Sequence, residues 1–201
     1  MGLEQPGGAR GAVASTRCRM CQNQPVDFAA ELRAVDEFLG ARGFRSAVIG
    51  GVALAAYGHP RMTLDLDVVT ESAAQDAIVA FMESRGFTTL HRSSGYSNHR
   101  HPERRQGRVD FMYVGGRTSE LLFGAVRRLP GPGGVTMAVP RPEHLIAMKV
   151  QAMKDAPERT RQDLVDVGYL LGLPGVDHAG VREYFARAGL DDKWRELTNE
   201  R

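Results

Sequence analysis

The chain of 201 residues has few lysines, few cysteines and no long apolar run. Only three of its 26 basic residues are lysine, and the other 23 are arginine. Two cysteines are too few to hold a secreted fold together by disulfides. No stretch approaches the roughly 18 apolar residues of a membrane span, which excludes an integral membrane protein. The formal net charge of +2 excludes a basic surface over the whole chain but permits a local basic patch.

The first 25 residues are rich in glycine and poor in apolar residues, so we expect a flexible tail over residues 1–25. Cys18 and Cys21 stand in this tail. Their spacing is typical of half a zinc site or of a redox pair. No second cysteine pair completes a set of about four zinc ligands, so we expect an incidental pair. The tail has no apolar signal-peptide core, and we therefore expect a cytoplasmic protein without a membrane partner.

The chain as a whole has the composition of a globular protein, with 42% hydrophobic and 25% charged residues. Helical and strand patterns alternate, which predicts an α/β (α+β) core over residues 26–140. Residues 141–201 read as a helical region that packs on this core. The polar segment from Arg92 to Gly107 predicts irregular structure. Strands are predicted at Ser46–Ile49, Leu64–Val69, Phe87–Leu90, Arg108–Val114 and Val135–Val139.

Two carboxylates, Asp65 and Asp67, lie two residues apart in the second predicted strand. Side chains at this spacing point to the same face of a strand, while Leu66 and Val68 point to the core. Adjacent carboxylates repel each other unless a cation lies between them, and hard oxygen ligands suit Mg²⁺ or Mn²⁺. A solvent-exposed edge strand is the alternative interpretation.

A third carboxylate, Asp110, lies in the predicted strand Arg108–Val114 among apolar residues. A charged residue in such a strand is rare unless it is paired or bound to a metal. If this strand neighbours that of Asp65 and Asp67, three carboxylates converge, as in two-metal nucleotidyl transfer. A strand with one face in water is the alternative.

Gly50 and Gly51 stand between a predicted strand and a predicted helix. Glycines at such a point let the backbone approach a phosphate closely, and the start of the helix presents N–H groups to it. A tight turn without a ligand is the simpler alternative. Thirteen residues separate Gly51 from Asp65.

Together, the Gly-Gly pair, the Asp-x-Asp strand and the later Asp110 resemble the motif of the polymerase-β-like nucleotidyltransferase fold. The surrounding residues are similar to its AbiEii-type branch, known as toxins of toxin–antitoxin or phage-abortive systems. The resemblance runs from about Phe44 to Leu171 and includes Lys149 and an Arg-x-Asp-x-x-Asp motif over residues 161–166. The chain departs from many members at Gly51, where they have serine. The resemblance implies a small mixed β-sheet flanked by helices, with a helical C-terminal part.

The resemblance also implies the transfer of a nucleoside monophosphate from an NTP to a hydroxyl of tRNA or of a protein. Mg²⁺ or Mn²⁺ would be the cofactor, and a cognate antitoxin from a neighbouring gene would be a partner. Asp65, Asp67 and Asp110 would be catalytic and would hold the metal. The nucleotide-binding residues implied are Gly50, Gly51, Arg61, Thr63, Lys149, Asp163 and Asp166.

Five arginines between the second and third carboxylates form a candidate acceptor-binding patch, because arginine suits an RNA phosphate backbone or an acidic protein surface. Tyr96 is the single aromatic residue from Arg92 to Arg108, so base stacking is poorly supported. A solvated loop is the alternative. The five are Arg92, Arg100, Arg104, Arg105 and Arg108.

Two other functions compete with the transferase. A nucleotidyltransferase-like domain that binds nucleotide or a partner without catalysis would keep the same residues. A haloacid-dehalogenase-like phosphatase uses Asp-x-Asp-x-Val, which Asp65–Val69 matches literally. That family needs an apolar run before the first aspartate, whereas Pro60–Thr63 precedes it here, and it would leave Asp110 unexplained.

Overall fold

The computed structural model describes residues 26–198, and the predicted tail with Cys18 and Cys21 lies outside this range. The strands are β1 Ser46–Ile49, β2 Asp65–Glu71, β3 Thr88–Arg92, β4 Tyr96–Arg100, β5 Arg108–Val114, β6 Arg127–Pro130 and β7 Thr136–Val139. The helices are α1 Phe28–Gly40, α2 Gly50–Ala56, α3 Gln75–Ser84, α4 Gly116–Phe123, α5 Pro142–Asp155, α6 Thr160–Leu171, α7 His178–Ala188 and α8 Asp191–Thr198.

Five strands form one mixed sheet in the order β1-β2-β5-β4-β3. The central pair, β2 and β5, is parallel, and the other neighbouring pairs are antiparallel. Strands β6 and β7 form a separate antiparallel pair. The predicted small mixed sheet with flanking helices is therefore confirmed.

One face of the sheet packs against α1 and α3. Leu66 and Val68 of β2 and Phe111 of β5 are buried on this face because strand side chains alternate between faces. The two helices contact each other through Phe38 of α1 and Phe81 of α3, whose rings stack with centroids 3.9 Å apart. The opposite face of β2 and β5 carries Asp65, Asp67, Arg108 and Asp110.

Helices α5 to α8 complete the molecule. Ile146 and Val150 of α5 are buried in the same apolar cluster as the sheet residues. Helices α7 and α8 meet where the rings of Phe185 and Trp194 lie 5.6 Å apart. Among residues 26–198, the helices are all too short or too polar to cross a membrane.

The expectation of irregular structure from Arg92 to Gly107 is wrong for its first half. Residues Tyr96–Arg100 form β4, which lies between β3 and β5 in the sheet. Its buried positions are the polar residues Ser97 and His99, so the strand lacks the alternation of apolar residues that indicates one. Helix α4 and strand β6 were also not predicted from the sequence pattern.

Candidate active site

The three carboxylates lie on one face of the two central strands. Asp67 of β2 and Asp110 of β5 are direct partners in the parallel register, and Asp65 is the partner of Arg108. The neighbouring Leu66 is fully buried on the other face, whereas the carboxylates are half-buried. The expected adjacency of the two strands is therefore confirmed. We call Asp65, Asp67 and Asp110 the carboxylate cluster.

Arg108 lies within the carboxylate cluster and not in a loop beside it. Its Nε donates a hydrogen bond to Oδ1 of Asp110 at 2.7 Å. Burial raises the pKa of Asp65, Asp110 raises it further, and Arg108 opposes both effects. The pKa of Arg108 is raised first by its bond to Asp110 and then by charge attraction to all three carboxylates. One guanidinium thus partly neutralises the whole cluster.

Gly50 packs directly against the cluster. Its φ of +63° lies in the left-handed region, which only glycine adopts at little cost. A Cβ at this position would lie 1.9 Å from Oδ2 of Asp67. A Cβ at Gly51 would lie 2.8 Å from the Cβ of Thr63, whose hydroxyl donates to the carbonyl of Asp65 at 3.2 Å. Thr63 thus fills the space that a serine at position 51 would need.

Lys149 of α5 is bound to two buried carboxylates of α6. Its Nζ donates to Asp163 at 2.9 Å and to Asp166 at 2.6 Å, and these side chains are 3% and 0% exposed. Asp166 also lies 3.6 Å from Nε of Arg61 and 3.5 Å from Nε2 of His59. The second oxygen of Asp163 is buried without a hydrogen-bond partner. The positive charge of Lys149 is therefore largely balanced inside the protein.

A cleft of about 420 Å³ joins these two groups of residues between the sheet and α5. The cleft is lined by Gly50, Asp67, Arg108 and Asp110. Larger apolar or aromatic side chains line it as well. These are Tyr96, Met112, Leu145 and Met148.

The donor chemistry of the carboxylate cluster fits Mg²⁺ or Mn²⁺, since all three side chains offer hard oxygen ligands on adjacent strands. Within residues 26–198, no three acidic, histidine or cysteine side chains converge on one point that could hold an ion. The bond from Arg108 occupies one oxygen of the third carboxylate.

The five arginines of the predicted patch are not gathered in one place. Arg92 forms an ion pair with Asp76 of α3, on the opposite face of the sheet from Asp110. Arg105 lies 3.3 Å from Asp27, and Arg100 is the register partner of Arg108. Only Arg108 lines the cleft.

Sequence reasoning missed Tyr96 and Asn98, which line the cleft from β4. The signal that could have found them is their spacing of two, which places both on one strand face. The polar composition of the segment predicts irregular structure, which conceals this periodicity. Met148 was also missed, although it directly precedes Lys149 on α5.

The family model described as nucleotidyl transferase AbiEii toxin, Type IV TA system, matches residues 44–200. The chain belongs to this family. The resemblance stated from the motifs is thus confirmed, and the phosphatase alternative is removed. Comparison with curated protein sequences found no match.

Solved nucleotidyltransferase structures share the fold at low sequence identity. The solution structure of the antibiotic-resistance factor ANT(2'')-Ia has a TM-score of 0.60 and 13% identity, covering 87% of this chain and 97% of that one. An antigenic nucleotidyltransferase-like protein from Paracoccidioides brasiliensis has a TM-score of 0.54 and 15% identity, covering 88% and 94%. The lincomycin-bound lincosamide antibiotic adenylyltransferase LnuA has a TM-score of 0.52 and 11% identity, covering 74% and 99%.

Proposed function

We propose that the protein transfers a nucleoside monophosphate from an NTP to a hydroxyl of tRNA or of a protein. The single observation that carries this proposal is the carboxylate cluster on adjacent parallel strands, packed against the positive-φ Gly50. Family membership supports the reaction class. A toxin role, controlled by an antitoxin encoded nearby, follows from the family and is part of the proposal.

Asp65, Asp67 and Asp110 would hold Mg²⁺ or Mn²⁺, two ions in the full reaction complex. When bound, such ions neutralise the charge of the triphosphate and of the leaving pyrophosphate. The carboxylate oxygens of the three aspartates suit these ions, and the family implies the same cofactor.

The chain's own residues supply the rest of the reaction. The acceptor oxygen attacks the α-phosphorus, the bond to the β-phosphate oxygen breaks, and pyrophosphate leaves. Asp110 helps to remove the proton of the attacking hydroxyl. The backbone at Gly50 and Gly51 lies beside the triphosphate, where the absence of side chains permits close approach.

On the other wall of the cleft, Arg61 and Lys149 stabilise negative charge on the nucleotide. Asp163 and Asp166 keep the ammonium of Lys149 in place through bonds of 2.9 and 2.6 Å. Because these carboxylates also balance its charge, we expect Lys149 to orient the nucleotide more than to attract it. Thr63 supports the turn by packing against Gly51.

The acceptor is proposed to contact Arg100, Arg104 and Arg105, of which Arg105 also pairs with Asp27. Arg100 is the register partner of Arg108. The sequence predicts Arg108 for the same patch, but its bond to Asp110 favours a role in the cleft. Arg92 faces α3, so we propose no acceptor contact for it.

The test is incubation of the protein with each labelled NTP and Mg²⁺, with total tRNA in one arm and tRNA-free lysate protein in the other. We expect label in one arm and its loss in Asp67→Ala, because that variant removes a carboxylate of the cluster. Asp36→Ala is the control, since Asp36 is exposed on α1.

The proposed transferase activity is contradicted if no NTP gives transfer and if Asp67→Ala inhibits growth as strongly as wild type. Nucleotide binding without transfer would instead favour a binding domain without catalysis. That second function has one observation in its favour, the bond that occupies Oδ1 of Asp110.

A further inference from the structure

The arginine inside the carboxylate cluster takes no part in the proposed transfer itself. Arg108 is aligned with Asp65 across the parallel pair, and two residues later Asp110 is aligned with Asp67. Its guanidinium donates to Asp110 at 2.7 Å, and the two side chains are 40% and 17% exposed. A charge-assisted bond of this length is one of the stronger hydrogen bonds in proteins.

The formal charges define what the cluster can take up. Three ionised carboxylates and one guanidinium carry a formal charge of −2, which a single divalent cation neutralises. A second divalent cation at Asp110 would have to displace the guanidinium or lie close to it. Like charges at such distances repel each other strongly when they are partly buried.

We infer that Arg108 is a positioning residue that holds Asp110 back from metal binding in the nucleotide-free protein. This inference rests on the proposed metal-dependent transfer and adds an order of assembly to it. Asp110 joins the site only after Arg108 has found another partner.

The donor triphosphate offers such a partner. Guanidinium groups bind phosphate oxygens in a bidentate manner, and Arg108 lines the same cleft as Gly50. Its partly exposed side chain has room to turn from Asp110 toward the cleft. Release of Asp110 would then be coupled to nucleotide binding, which prevents assembly of the complete site without the donor.

The experiment measures Mn²⁺ binding to the full chain without nucleotide, by calorimetry and by electron paramagnetic resonance. Arg108→Gln should bind Mn²⁺ about tenfold more tightly than wild type, or gain a second site, because a bond to a charged group no longer competes. Arg108→Lys keeps a donor and a charge, so it should retain the wild-type affinity. Arg100→Gln removes a charge from the register partner without removing a bond to Asp110, and should change the affinity much less.

A double-mutant cycle separates a direct effect on Asp110 from a general loss of positive charge. Asp110→Asn should leave Mn²⁺ binding nearly unchanged in the wild-type background, since Arg108 already holds that carboxylate. The same substitution in Arg108→Gln should abolish the gain. If Arg108→Gln does not fold, as judged by circular dichroism, the Mn²⁺ affinities of Asp110→Asn and Arg108→Lys still test the inference.

The inference is overturned if Asp110→Asn weakens binding as much as Asp67→Asn, or if folded Arg108→Gln neither binds Mn²⁺ more tightly than wild type nor gains a second site. Failure of the proposed function looks different. In that case Asp67→Asn itself leaves Mn²⁺ binding unchanged, and no metal site exists for Arg108 to control.

Discussion

Gly50 lies so close to Asp67 that no side chain fits between them. A Cβ would approach Oδ2 of Asp67 to 1.9 Å, and the φ of +63° already disfavours any other residue. The space and the backbone conformation therefore demand glycine independently. The sequence could indicate a turn here, but the identity of the contacted atom belongs to the tertiary structure.

Gly50→Ala should lower the free energy of unfolding by about 1–3 kcal/mol, because alanine is strained at this φ and displaces Asp67. It should also weaken Mn²⁺ binding. Chemical denaturation and calorimetry measure the two effects. Gly40→Ala is the control, since an added Cβ there meets no atom within 4 Å. Equal stability of the two variants would show that the contact with Asp67 is unimportant.

Lys149 illustrates a limit of reasoning from single residues. Lysine is scarce in this arginine-rich chain, which singles out Lys149, and the family motif implies that Lys149 contacts the nucleotide. The structure adds that Asp163 and Asp166 bind it from a different helix. Helix spacing predicts that the two aspartates share one face of α6, but only packing brings that face to α5.

At the scale of elements, β4 carries a buried polar network into the sheet. The Ser97 hydroxyl lies 2.8 Å from Nε2 of His99 and 2.6 Å from the hydroxyl of Tyr113. Burial lowers the pKa of His99 and raises that of Tyr113 to about 12, so both groups are neutral in the folded protein at pH 7. Because these partners satisfy one another, a strand of polar sequence can be buried.

The protonation of His99 predicts a loss of stability in acid. Its pKa is lowered in the folded state from an ordinary value of 6.5, so the unfolded chain binds the proton more tightly. Stability should therefore fall as the pH decreases from about 6.5 toward the lowered value. The slope of unfolding free energy against pH should be smaller in His99→Asn than in wild type.

His144, whose pKa burial also lowers, contributes in the same direction to wild type and to variant and cancels in the comparison. His91→Asn is the control, because this histidine is exposed on β3. The difference in free energy reports the shift of His99 at about 1.4 kcal/mol for each pKa unit. Parallel curves of unfolding free energy against pH for wild type and His99→Asn would show that the network does not govern the loss of stability in acid.

At the scale of the whole molecule, the near-neutral chain separates its charges in space. Asp67 and Asp110 of the carboxylate cluster line the cleft, and Arg100 lies on the next strand. A net charge of +2 therefore hides a local separation of acidic and basic side chains. The division between a core over residues 26–140 and a helical region over 141–201 stays a prediction.

Replacing Arg100, Arg104 and Arg105 together by glutamine should weaken acceptor binding while sparing NTP binding. If the acceptor is RNA, each lost phosphate contact should reduce the salt dependence of binding by roughly one unit of slope. Fluorescence titrations with tRNA and with a labelled NTP measure the two affinities. Arg92→Gln, on the opposite face, should leave both unchanged, and equal loss of both affinities in the triple variant would contradict the separate acceptor surface.

The sequence by itself determined the family, the fold class and the faces of the central strands. Alternation in Asp65–Val68 and in Arg108–Val114 is a local property, so the deeper burial of one face followed from residue spacing. The Gly-Gly pair marked the turn for a similar local reason. The course of β4 was not readable, because its buried residues are polar and become tolerable only through partners on other strands.

Tertiary structure alone decided which atoms meet. The alignment of Asp67 with Asp110 depends on the register between strands that lie 43 residues apart in the chain. Arg108 is predicted from the sequence to belong to the acceptor patch, and the same register places it in the carboxylate cluster instead. The local sequence pattern determines which face of a strand a side chain occupies. Long-range packing determines which charged groups it contacts there, and the chemistry of this site follows from those contacts.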